Sequence, residues 1–181
     1  MPTQAELVTP ERTLFSGEAE FVVLRTDGGE IMFLPEHAPF IGAVDISLVR
    51  IAQPGSDAES SSTPGEFRAA VHGGFVHVAD NKVTLLASVA EPSDEIDVER
   101  ARRALEAAQS AVSADEGGEG REAREAEHAV ASGEGEEQVE QSSAMKAMLF
   151  PDDPQVALRR AEVRLEAAGA ADSSGGSTSA H

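Results

Sequence analysis

Three groups of polar residues in this sequence have the types and spacing to do chemistry. The first is Glu30 with His37, in "GGEIMFLPEHAPFIGAV", Gly28 to Val44. Two glycines precede the acid, and Pro35 and Pro39 bracket the histidine. A carboxylate and an imidazole on so stiff a loop can bind a partner, or can merely serve a turn as a solvated acid and a capping histidine. The second group is His72 and His77, in "AVHGGFVHV". Two histidines near a turn invite a metal, but no third ligand lies at compatible spacing, so both read as surface strand positions. The third group is Glu91, Asp97, Arg100, Arg160 and Arg164. Asp97 and Arg100 form an i,i+3 helix pair worth only about 0.2–0.5 kcal/mol. Arg160 and Arg164 stand at i,i+4 and share a helix face. A helical hairpin that brought them near Arg100 would make a cradle for phosphates from three guanidinium groups.

The elements that must position these residues fall into two halves. Residues 1–90 read as β: short apolar runs recur between turn residues, which points to a sandwich or flattened barrel. "FVHVADNKVTLLA" is the clearest hairpin, turning at Asp80 and Asn81, residue types that tolerate positive φ. Pro54 to Glu66, "PGSDAESSSTPGE", reads as a polar surface loop. Residues 94–168 read as a helical hairpin. Ser93 or Asp94 is the expected N-cap of its first helix, and Ile96, Ala101, Leu105 and Ala108 give that helix an apolar stripe. Pro154 suits the first turn of the second helix and Gly169 its stop, with Val156, Leu158, Val163 and Leu165 as its apolar residues. Neither helix is long enough to be stable alone, so each must pack on something.

Ser113 to Ser143 reads as an acidic, disordered insertion within the hairpin, and residues 169–181 as a disordered tail. Asp115 to Glu140 alone holds ten acids against Arg121 and Arg124, so much of the net charge of -19 resides there. Such a balance argues against a nucleic-acid partner, which needs clustered Lys and Arg. The absence of cysteine excludes disulfides and thiolate-bound metals and fits a reducing compartment. No stretch of about 18 apolar residues spans a membrane, and "MPTQAELVTP" carries no secretory signal, so a cytoplasmic location is expected.

In this order, the parts resemble the epsilon subunit of F-type ATP synthases. Three stretches carry the likeness: "GEIMFLPEHAP" (Gly29 to Pro39), "GGFVHVADNKVTLLA" (Gly73 to Ala87) and "IDVERA" (Ile96 to Ala101). The likeness runs from "LVTPERTLFSGEAE" to about Val112 and resumes at "ALRRAEVRLEA". The sequence departs from the family's pattern at Met32, where a second glycine is usual, and in two longer loops. The resemblance implies a non-catalytic rotor component on the cytoplasmic face of the cell membrane, held there only through its complex and present in one copy. It implies a gamma subunit, a c-ring and an alpha/beta head as partners, with Glu30, His37 and Pro39 at the docking edge. It also implies helices that brake ATP hydrolysis, no required cofactor, and a regulatory ATP contacted by Glu91, Ile96, Asp97, Arg100, Arg160 and Arg164. A free-standing acidic β-sandwich adaptor with a partner-recruiting tail is the alternative reading.

Overall fold

The computed structural model describes residues 1–55, 65–126 and 153–170, with side chains described outside 115–126. The first half is a β-sandwich of eight strands: β1 (Thr3–Val8), β2 (Thr13–Ala19), β3 (Phe21–Thr26), β4 (Gly29–Phe33), β5 (Phe40–Ala52), β6 (Glu66–Ala79), β7 (Lys82–Ala87) and β8 (Ala90–Pro92). Hydrogen bonds connect them in the order β2-β1-β7-β6-β5-β3-β4, with β8 beside β6. Among the described residues, only the β1–β7 pair is parallel; the other pairs are antiparallel.

Alternation builds the core. In β1, Thr3, Ala5 and Leu7 turn inward while their neighbours turn outward. Leu7, Val22, Leu24, Phe33, Val49, Ile51, Val71, Val76 and Leu85 close the interior, and no charged side chain joins that cluster.

The β6–β7 turn forms where the sequence places it. Asp80 and Asn81 have φ of 50° and 55°, so both central residues are left-handed, as a type I′ hairpin requires. Asn81 also ties the turn to two other segments: its side chain donates to the Pro2 carbonyl and accepts from the Glu36 N–H. The first arm of that hairpin, "FVHV", is continuous with the residues before it in one long strand, β6. Gly74 makes this passage possible. Its φ is +148°, and a Cβ there would lie 2.2 Å from the Leu86 carbonyl oxygen.

Two helices follow, α1 (Val98–Ala126) and α2 (Pro154–Ala167). The N-cap of α1 is Asp97, not Ser93 or Asp94: its carboxylate accepts the Arg100 N–H at 3.0 Å. The residues before it are engaged in leaving β8, with the Ser93 N–H on the Arg68 carbonyl and the Glu95 N–H on the Pro92 carbonyl. Helix α1 continues to Ala126, into the segment read as an insertion from Ser113 to Ser143. The rest of that segment, the Pro54–Glu66 loop between 56 and 64, and the tail beyond 170 lie outside the described residues. Helix α2 is closed at both ends. Asp153 accepts from the Gln155 and Val156 N–H groups, and Pro154 opens the first turn. At the far end Gly169, at φ 70°, donates to Glu166 and Ala170 donates to Leu165, the paired bonds of a Schellman motif. Helix α2 packs on α1, β5 and β6. A second apolar cluster joins Ile46, Ala70, Ile96, Val156, Val163 and Ala167.

Candidate functional site

The seam between α2 and the sheet gathers most of the third residue group. Glu91 projects from β8 and takes both Nε and Nη2 of Arg164, at 2.7 and 2.5 Å, on one carboxylate oxygen. The same oxygen lies 3.4 Å from His72 Nε2 on β6. Contact with His72, then the bonds and charge of Arg164, hold the Glu91 carboxyl down to about 2 against the opposing effect of its partial burial. The Arg164 bonds are far shorter, so we assign them the firmer hold. His72 is buried, not a surface position, because β8 and α2 cover that end of β6; His77, four residues after Gly73, is exposed. Burial first, and then the charges of Arg164 and Arg160, lower the proton affinity of His72, with Glu91 pulling the other way. At neutral pH its ring is therefore uncharged.

The other members of this group have different settings. Ile96 is part of the apolar cluster beneath α2. Asp97 is occupied as the α1 cap, and Arg100 is exposed at that helix's start. The seam thus joins Glu91, Arg160 and Arg164 around His72, which sequence reasoning left out. Among the described residues, no group of three or more His, Asp and Glu is placed to hold a metal.

Beside this seam a cleft of about 300 Å³ is lined by Arg25, Arg50, Arg68 and Arg159, with Glu30 and Glu166. Its charges are largely internal. Arg25 stands opposite Glu30 in register, Arg50 is 3.9 Å from Glu66, Arg159 is 3.4 Å from Glu162, and Arg68 donates to the Glu166 carbonyl.

Glu30 and His37 are not brought together. Glu30 lies at the start of β4 facing the arginine cleft. His37 lies past the strand's other end, its ring edge-on to Phe33 at 5.0 Å and its Nδ1 2.8 Å from the Ala38 carbonyl. The His37 N–H donates to Leu34, and Glu36 adopts φ 62° with its N–H held by Asn81. The loop is stiff because the β6–β7 turn pins it. Pro39 lines a shallow apolar hollow with Phe40, Ile41, His77 and Val78. From there an exposed apolar strip runs across the outer face of the sheet: Ile41 is 74% exposed, Phe75 49% and Leu86 52%, a degree of exposure that needs a reason in side chains this large. Phe75 pairs in register with Ala43 on one side and Leu86 on the other. One sequence signal marked this strip: "VTLLA" puts Leu85 and Leu86 on opposite faces, so one of them must point outward.

Comparison with known proteins matches this architecture to one family. Residues 3–93 match the family described as ATP synthase, delta/epsilon chain, beta-sandwich domain, so the chain belongs to the ATP synthase delta/epsilon chain family. The ATP synthase epsilon chain of Streptomyces griseus subsp. griseus is 48% identical over 96 residues, which are 53% of this chain and 71% of that one. That of Pelotomaculum thermopropionicum is 45% identical over 96 residues, 53% of this chain and 65% of its own length. A chain in the cryo-EM structure of the Euglena gracilis mitochondrial ATP synthase (OSCP/F1/c-ring, rotational state 1) shares the fold. Its TM-score is 0.57 at 21% identity, covering 93% of this chain and 82% of that one. Among the described residues, no helix is long and apolar enough to cross a membrane.

Proposed function

We propose that this chain is the epsilon chain of a proton-translocating rotary ATP synthase, a subunit with no catalytic site of its own. Its sandwich binds the gamma subunit and the c-ring, turns with them as one copy per complex, and couples ring rotation to the catalytic head. It is held at the cytoplasmic face of the cell membrane through those partners. The helices swing from the sandwich toward the alpha/beta head to slow ATP hydrolysis.

The observation that carries this reading is the exposed strip of Ile41, Phe75 and Leu86 on the outer face of a family sandwich. Large apolar side chains on a rigid sheet are a ready docking surface, and aromatic anchors dominate binding energy at such surfaces. His37 and Pro39 flank the strip on a loop already fixed by Asn81, which limits the ordering entropy lost on binding. Glu30, at the other end of β4, is the part of this edge proposed to meet the c-ring. Replacing Ile41 and Phe75 together by Asp leaves the interior intact, so the urea midpoint stays close to wild type. We expect gamma to co-purify with wild type and to be lost from the double variant. Retention of gamma at normal yield overturns the assignment of this face.

Regulatory ATP fits the seam through Arg160 and Arg164, with Ile96 beneath. Glu91 already neutralises Arg164, so phosphate would have to displace that carboxylate. Calorimetric silence of the isolated chain at millimolar ATP would remove the nucleotide from this proposal.

A further inference from the structure

His72 has 2% of its side chain exposed, and both ring nitrogens lie without a hydrogen-bond partner of good geometry. One nitrogen of a neutral imidazole carries a hydrogen and the other a free lone pair, so this ring holds an unused proton acceptor in a dry place. Three elements meet on it. From β8, Glu91 Oε1 approaches to 3.4 Å; from α2 come the charges of Arg164 and Arg160; from β5 its partner in register is the apolar Ile46. Glu91 fastens α2 to the sheet through Arg164, alongside the Arg68 bond to the Glu166 carbonyl and the Arg159 bond to the Ile46 carbonyl.

We propose that His72, Glu91 and Arg164 form a proton-operated latch, which holds α2 on the sheet while His72 is neutral and frees it when His72 takes up a proton. The charge count explains the direction. With His72 neutral, the Arg164 guanidinium has the Glu91 oxygen to itself. A proton on the sealed His72 ring would put a third cation beside Arg160 and Arg164 around one carboxylate. Once α2 leaves, the ring faces solvent and regains its ordinary value near 6.5.

The released state therefore binds the proton more tightly than the docked one. Docking is at full strength above about pH 6.5. Below it, the docked-to-released ratio falls by about tenfold per pH unit until the docked ring itself titrates. Glu91 acts in a separate window. Its carboxyl, held at about 2 against an ordinary 4.5, stabilises the docked state above pH 4.5 and loses that effect as pH falls toward 2. The latch needs only the docked helix, whatever the complex does with it, so its failure would leave the docking of gamma untouched.

The chain has no cysteine, which makes label placement simple. Asp27→Cys on the β3–β4 turn and Glu162→Cys on α2 are both outside the latch and carry a pair of spin labels on the full chain. We expect one short distance from pH 8.5 to 7 and a growing long-distance population from pH 6.5 to 5. His72→Gln, neutral at every pH, should keep the short distance through that window and release only below about 4.5. The same release between 6.5 and 5 in His72→Gln, or no release in the wild type, overturns the latch. Should His72→Gln not fold, ¹⁵N titration of the wild-type His72 ring decides: a midpoint at or above 6.5 contradicts the proposal, and one below it supports it.

Discussion

The interior of the sandwich and the seam beneath α2 share strands β5 and β6, yet they are built from different materials. The interior is filled by branched aliphatics, alanine and phenylalanine from β1 to β7, with Ala90 of short β8 packed against it. The seam has Ile46, Ala70, Ile96, Val156, Val163 and Ala167 at its apolar centre, and arginines, a glutamate and a histidine around them. Apolar packing neither titrates nor is screened by salt, whereas an ion cluster partly open to water does both. On the latch proposed above, the first region persists and the second comes apart.

That contrast can be broken at either end. The largest effect is expected in the interior. Phe33 is fully buried, with the rings of His37 and Phe40 packed on it at 5.0 and 5.4 Å. Phe33→Ala should lower the stability of the whole sandwich by about 3–5 kcal/mol in urea unfolding. Because His37 rests on that ring, the docking loop should loosen with it. A loss below about 1 kcal/mol would mean that the interior is not the permanent part. A smaller and more local effect is expected at the seam. Arg164→Ala leaves Glu91 without its two strongest bonds, and a lost charged partner costs about 1–3 kcal/mol. Amide exchange should speed in α2 by that margin while β5–β7 keep their protection, and any ATP heat should vanish. Equal acceleration in strands and helix would show that the two regions unfold as one.

The sequence made features set by local backbone chemistry more legible than those set by packing between distant segments. The Asp80-Asn81 hairpin and the Pro154 and Gly169 ends of α2 were readable because each rests on local backbone chemistry: positive φ, a missing N–H, a left-handed stop. The start of α1 was misplaced by a few residues because Ser93, Asp94 and Asp97 are all good caps, and only the turn out of β8 chooses among them. His72 was taken for a surface residue because its cover, β8 and α2, comes from up to about 90 positions further along the chain. The distance between Glu30 and His37 was hidden for the opposite reason. They are near in sequence, but β4 lays out the residues from Glu30 to Phe33 at about 3.3 Å each, and the turn beyond it carries His37 past the strand's end. The apolar strip was the least legible feature, since outward apolar residues in a strand look like core until the other face is seen to be full.

The most direct test of the rotor assignment places a crosslinker on that strip. Ile41→Cys in the full chain, carrying a short photoreactive group and assembled into the complete ATP synthase, should join to the gamma subunit. A label at Glu162→Cys on α2 serves as the comparison and should not reach gamma through the same face. If the labelled chain assembles and Ile41→Cys never captures gamma, the strip is not the stalk-docking surface and the account of this face is wrong.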